Sequence, residues 1–223
     1  SDVKAIGSAL NVSDKDVRNE ITFTQKTGYK AENYDIKYEP GTLRITPIVD
    51  EVTITITEHS ASLKYNGAEQ SVTGYDTAID NTLYKETDFT FSGDATAKGT
   101  DFGSYPMNLK AEDFTNKNKN FANVVFEIVD GQLEITKRDV ELISGSDGTP
   151  LTKNHILIAG DQFVPGEGAD YDVTGSQTNA GSSDNEFTYR LNSSTKAINY
   201  NIKTTPGTLK VTPVTDNVIV TIT

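Results

Sequence analysis

The sequence predicts an all-β fold built as tandem small β-sandwich (Ig-like) or β-grasp-like modules in an elongated rod. Three observations lead there. First, the stretch Asn33 to Thr57 is written again at Asn199 to Thr223, with fifteen positions identical. A looser third copy runs from Asn123 to Thr136, and the glycines Gly41, Gly131 and Gly207 mark the same point in each copy. Repetition of this kind is the signature of an array of small modules. Second, Thr, Val, Ile and Tyr are abundant while Trp is absent and Met occurs once. These residues suit a pleated, half-buried surface. Third, short runs of alternating polarity are cut by glycine-rich turns, about seven per module, as in sandwiches and related sheets.

In chain order, residues 1–49 read as the C-terminal half of a first module, because Glu20-Ile21-Thr22-Phe23 returns as Glu186-Phe187-Thr188-Tyr189. Asp2-Val3 is aligned in the same way with Asp172-Val173. Residues 50–137 form a second module and 138–213 a third, and 214–223 read as the first strand of a following module. Each module closes on a paired motif. Val124 to Val129 alternates up to Asp130-Gly131, and Leu133 and Ile135 alternate beyond it, which predicts a hairpin with a type I′ turn. Pro40-Gly41 and Pro206-Gly207 predict the same hairpin with a type II turn, since proline cannot supply positive φ. Leu43, Ile45, Leu209 and Val211 are assigned to the core, Arg44 and Lys210 to water. Pro47 and Pro213 then mark a short, stiff joint before Val52-Thr-Ile-Thr-Ile-Thr57, where Val52, Ile54 and Ile56 share one face.

Within the second module the sequence predicts a turn at Asn66-Gly67 and a short edge strand at 71–75. Further strands are expected at 88–93 and 103–109, one helical turn at Lys110 to Phe114, and a polar loop at Asn116 to Asn120. In the third, Val140 to Ser144 is the first strand and Asp147-Gly148 takes the place of Asn66-Gly67. Phe91-Ser92-Gly93 returns as Val173-Thr174-Gly175, Gly99 as Gly181 and Tyr105 as Phe187, all at one constant offset.

Charge narrows function. With 32 acidic against 20 basic residues the net charge is −12. No basic run stands against it, which disfavours nucleic acid and anionic membranes as partners. There is no cysteine, which excludes disulfides, thiolate metal sites and thiol nucleophiles. No apolar run long enough to span a bilayer occurs, so no membrane span is expected in this stretch.

The search for chemistry is brief. His59 and His155 lack companion ligands or a nucleophile motif and read as surface residues. Lys98-Gly99-Thr100 reverses the order of a phosphate loop. The acidic loops at Asp80-Asn81, Asp113 to Asn120, Glu167 to Asp172 and Ser182 to Asn185 do not match a calcium loop, and Asx-turn chemistry explains them. Lys64 alternates with Leu63 and Tyr65 and faces outward, so no isopeptide bond is expected there. Tyr29, Tyr34, Tyr38 and Tyr200 form a candidate sugar-stacking set. Tyr34 and Tyr200 recur at one module position and are assigned to the core; Tyr38, replaced by Thr204, is the candidate for exposure. Asn11-Val12-Ser13 and Asn192-Ser193-Ser194 are formal glycosylation sequons.

Tyr65-Asn66-Gly67, Asp147-Gly148-Thr149-Pro150-Leu151, Lys98 to Leu109, Gly166 to Gln177 and the closing Pro-Gly-Thr-Leu-Lys-Val-Thr-Pro together resemble a family. They are similar to tandem-repeat modules, Tyr-Asp-Gly and mucin-binding-like (MBG-type), of large Gram-positive bacterial surface adhesins. Ser146 departs from that pattern, where the family places tyrosine. The resemblance implies an extracellular location at the bacterial cell surface, with cell-wall attachment through regions outside this stretch. It implies a non-enzymatic stalk or spacer of an adhesin or fibre, without cofactor, whose neighbours are further repeats. The alternative it leaves open is an adhesion module for host or cell-wall glycans or mucin.

Overall fold

The computed structural model describes residues 2–12, 16–146, 155–216 and 218–221. The Asp147-Gly148 turn, the motif continuing to Leu151, and parts of the Asn11 sequon and of the 214–223 segment lie outside them. The fold is all-β, with four single 3₁₀ turns as its only helical elements among the described residues. The chain forms two compact units, each taking part of the 50–137 stretch.

The first unit gathers Ser1–Glu58, Gly74–Ala95 and Asn108–Asp130. Its main sheet places Val52–Glu58 between Val124–Val129, which runs parallel to it, and Tyr75–Ile79, which runs antiparallel. The alternation of apolar residues with threonine explains the central position. Val52, Ile54 and Ile56 are fully buried, while the threonines fill the other, half-covered face at low apolar cost. Phe89–Phe91 pairs with Phe114–Asn116, and Phe89, Phe91, Phe114, Phe126 and Tyr75 form a ring cluster with centroids 5.0 to 6.0 Å apart. Two smaller ladders, Asp2–Ala5 with Ile21–Thr24 and Val17–Asn19 with Gly41–Leu43, come from residues 1–49.

The second unit gathers His59–Thr73, Thr96–Met107 and Gly131–Thr223. In one sheet Gln132–Thr136 lies between Ala61–Lys64 (parallel) and Gly103–Pro106 (antiparallel). In another, Arg138–Ser144 lies between Tyr200–Thr205 (parallel) and Ile156–Gly160 (antiparallel). Ala169–Val173 pairs with Phe187–Leu191, Gly181–Asn185 with Gly207–Val211, and Gln70–Thr73 with Thr96–Gly99. Leu133, Ile135, Val140, Leu142 and Leu209 are at most 1% exposed and anchor its core.

The closing motifs are not hairpins. Val124–Val129 pairs with Val52–Thr57, and Leu133–Thr136 with Ala61–Lys64, each with a partner far upstream in the chain. Likewise Tyr200–Thr205 joins the Arg138 strand and Gly207–Val211 the Gly181 strand. Asp130-Gly131, Pro40-Gly41 and Pro206-Gly207 carry no positive φ, so neither the I′ nor the II turn forms. At these points the chain leaves one ladder for another. Gly207 is needed there for proximity: a Cβ would stand 2.3 Å from the Ser144 carbonyl oxygen and 2.6 Å from that of Gly145. Its N–H donates to Ser144 Oγ at 2.8 Å.

Other expectations fare differently. The Lys110 turn is present at Ala111–Asp113. Asn66-Gly67 turns with Gly67 at φ +82°, and the Ala68 N–H donates to Asn66 Oδ1 at 2.9 Å. The 71–75 stretch divides at Gly74 (φ 92°) into the ends of two strands. Gly181 matches Gly103, which stands at the same place opposite the Gly207 and Gly131 strands, and not Gly99. The Asp2 strand is also out of the expected alignment, by one full strand repeat. Val3 faces Phe23 and Tyr171 faces Tyr189, a slip that keeps every side chain on its face because the side-chain period of a strand is two.

Candidate functional site

The most built-up polar cluster surrounds Glu167 in the second unit. The Ala61–Lys64 strand ends at Tyr65, and the Tyr200–Thr205 strand begins at Tyr200; both rings are nearly buried and meet edge to face at 5.7 Å. Their hydroxyls donate to opposite oxygens of the Glu167 carboxylate, each at 2.5 Å. Tyr200 Oη also accepts the Val164 N–H at 3.1 Å. Phe163 covers the Tyr200 ring at 5.1 Å. Burial, together with the bond to Glu167, pushes the Tyr65 hydroxyl up to about 12 and raises Tyr200 as well. Both therefore stay protonated and donate across the physiological range.

Around this centre charged groups tie turns to strand ends. Lys64 Nζ lies 2.7 Å from both oxygens of Asp161, and that bond holds the Asp161 carboxyl below the usual range, assisted by the Asp139 N–H. Arg138 donates Nη1 to the Tyr65 carbonyl at 3.1 Å, Nε to the Gln162 carbonyl at 2.9 Å, and Nη2 to the Asp161 carbonyl. Gln162 is left-handed at φ 61°, a conformation tolerated where surrounding bonds hold it. Asn199, wholly buried, accepts the Phe102 N–H at 2.7 Å and donates to Asp101 at 2.9 Å. Lys196 completes the group at 2.6 Å from Asp101 and, with Asn199, lowers that carboxyl. Lys137 Nζ stands 4.8 Å above the Phe102 ring, a cation–π contact.

The first unit has a smaller node around Asn120. Its Oδ1 accepts the Val12 N–H at 2.7 Å, its Nδ2 donates to Asn11 Oδ1 at 2.9 Å, and its carbonyl accepts the Ile48 N–H at 2.8 Å. Ile48 follows Pro47 and bridges to Phe121. The Pro47 segment, expected to be short and stiff, is thus pinned by directional bonds within its unit.

The residues singled out from sequence fall as follows. His59 Nδ1 lies 2.8 Å from the Thr73 carbonyl, and His155 is exposed. Among the described residues no group of three His, Asp or Glu side chains is placed to share a metal ion. Of the acidic stretches, two serve turns: Asp113 accepts the Lys110 N–H at 2.9 Å, and Asn81, Asn116 and Asn118 each accept the next-but-one N–H. Asp170, Asp172 and Ser182 to Asn185 instead lie in strands, so the turn reading does not hold for them. Glu167, flagged in one such loop, holds the two tyrosines. Lys64 faces outward as expected and forms an ion pair. Tyr200 is buried at 4% exposure, whereas its counterpart Tyr34 is 63% exposed and Tyr38 52%. Tyr34 stacks on Tyr29 at 5.2 Å and lines an apolar groove of about 370 Å³ with Phe23, Ile36 and Tyr38. The core assignment of Tyr34 is therefore corrected. The repeated Asn33, Asn123 and Asn199 were the available signal for the Asn199 bonds, since all three stand at the same place in the repeat, eight residues before its glycine.

No helix among the described residues is long and apolar enough to cross a membrane. Comparison with protein-family models, curated proteins and solved structures finds no match for the chain.

Proposed function

We propose that this chain is a non-enzymatic stalk or spacer repeat of a bacterial cell-surface adhesin or fibre. It would lie outside a Gram-positive cell, anchored to the wall through other regions, with further repeats as neighbours. The supporting observation is the pairing of entry and exit strands. Arg138–Ser144 opens its stretch and Tyr200–Thr205 leads out of it, and the two are parallel neighbours over six residue pairs. Val52–Glu58 and Val124–Val129 repeat the arrangement. Tension applied through chain ends pulls such strands in opposite directions along their axes. The slanted, evenly spaced ladder bonds are then sheared together and not opened one by one.

Single-molecule pulling tests this. Force applied through residues flanking 138 and 205 is expected to give markedly higher unfolding forces than force applied through 138 and 160, which peels an antiparallel pair. Equal forces in both geometries would reject the tension-bearing reading. The second reading, a module binding host or wall glycans or mucin, is favoured by the exposed Tyr34 and Tyr38. A glycan array that includes mucin, with Tyr38→Ala as control, separates it from a spacer.

A further inference from the structure

The exposed groove at Tyr34 and the exposed segment at Val218 are complementary halves of a pairing this chain makes elsewhere. Tyr34 to Glu39 occupies the position of Tyr200–Thr205 and of Val124–Val129 in the other copies. Both of those are strands held by a parallel neighbour, Arg138–Ser144 or Val52–Glu58. Tyr34 to Glu39 forms no strand and has no ladder partner among the described residues. Its apolar side chains Tyr34, Ile36 and Tyr38 are 63%, 40% and 52% exposed.

A neighbour suited to that position has a defined sequence. Val52–Thr57 is the strand that covers the equivalent position in the first unit, and Val218 to Thr223 is its copy. Val218, Ile219 and Val220 are 84%, 87% and 79% exposed and also lack a ladder partner among the described residues.

We propose that a second copy of this chain supplies the cover: Val218 to Thr221 of one molecule adds in parallel to Tyr34 to Lys37 of the next. Register follows from the existing pair Val124 with Val52. Tyr34 faces Val218, Asp35 faces Ile219, Ile36 faces Val220 and Lys37 faces Thr221. The pairing carries no charge conflict, because the donor residues 218–221 are uncharged while the acceptor alternates Asp35, Lys37 and Glu39. Strand addition supplies main-chain hydrogen bonds, and the aromatic groove supplies side-chain burial. The two patches are different surfaces, so the contact is head-to-tail and extends beyond a dimer unless a ring closes. Four apolar side chains on the groove face, Tyr34, Ile36, Val218 and Val220, and a short ladder make an interface at the small end of the specific range, so association is expected from roughly tens of micromolar upward.

Sedimentation and light scattering of the whole chain at rising concentration test the proposal. The mass is expected to climb from 24.2 kDa past that of a dimer. Val220→Asp, which spoils the donor, and Ile36→Asp, which spoils the acceptor, are each expected to stay monomeric. Mixed in equal amounts they are expected to give a dimer and nothing larger, since each retains one intact half. Tyr38→Thr, which places there the residue found at Thr204, is a gentler acceptor variant should Ile36→Asp disturb folding. A parent chain that stays monomeric at all concentrations overturns the proposal. So does parent-like association by Val220→Asp, because the groove would then be pairing with something other than this segment.

Discussion

Removing the hydroxyls that converge on Glu167 tests whether this cluster holds the second unit together. Tyr65→Phe deletes one 2.5 Å bond to Oε1 and leaves the ring packing unchanged. A hydrogen bond to a charged acceptor contributes about 1.5–3 kcal/mol; the rings are buried but the Glu167 carboxylate is half-buried, so solvent compensation places the expected cost toward the lower end of that range. Tyr200→Phe deletes the matching bond to Oε2 and also strands the Val164 N–H, which donates to Tyr200 Oη. Its expected cost is larger, about 2–4 kcal/mol. Glu167→Ala leaves both hydroxyls without their acceptor and should cost about 3–5 kcal/mol. The two Phe substitutions share one carboxylate, so the double variant is expected to depart from additivity by about 0.5–3 kcal/mol. Urea unfolding followed by tyrosine fluorescence is suited to the measurement, because the chain has ten tyrosines and no tryptophan. Two Phe variants each within about 0.5 kcal/mol of the parent would refute the assignment.

The same site predicts alkaline behaviour. The folded Tyr65 hydroxyl is raised to about 12 from an ordinary 10.0, so its contribution is full below about pH 10 and is lost as pH rises through about 12. Absorbance titration of tyrosinate should show late ionisation that Tyr65→Phe diminishes. On the acid side Asp161 and Asp101 are lowered from 3.8 by Lys64 and by Lys196 with Asn199. Their stabilisation is present above pH 3.8 and is lost as pH falls through the folded values. Asp161→Asn should therefore lower the melting temperature at neutral pH, with the difference vanishing in strong acid. Gly207→Ala should cost roughly 1–3 kcal/mol, since its Cβ meets backbone oxygens. Gly41→Ala, at the equivalent position with nothing within 4 Å, should be nearly neutral in the same melt.

Fold class and core faces were legible because they depend on local pattern. Val52, Ile54, Ile56, Leu133, Ile135 and Leu209 alternate with polar residues, and all six are buried. Partner choice was not legible. Asp130-Gly131 between two alternating runs favours a hairpin only if the two runs pair with each other. Here each run finds a parallel partner much earlier in the chain, and the motif is the passage between ladders. The Glu167 cluster was hidden for a related reason. Tyr65, Glu167 and Tyr200 are far apart in sequence, and none belongs to a reactive spacing.

One device occurs in both units. Gly175 lies against Asn185, where a Cβ would stand 2.3 Å from Oδ1 and 2.5 Å from Cα; Gly7 stands in the same relation to Asn19, at 2.7 and 2.6 Å. Asn19 and Asn185 each face the glycine of the closing motif, Gly41 and Gly207. A side chain at Gly7 or Gly175 would part the strands on either side, so the spacing between glycine and asparagine follows from how closely the backbones approach. The glycine opposite Asn185 is just as constrained, because Ser144 and Gly145 lie on its far side. Gly41 has no such neighbours among the described residues. What confines Gly207 is therefore the Arg138–Ser144 strand, whose counterpart beside Tyr34 is not found among the described residues. A strand added beside Tyr34 in the proposed register covers the aromatic groove but ends opposite Lys37, short of Gly41. Gly41→Ala should therefore stay nearly neutral in the associated chain too, whereas Ile36→Asp should not.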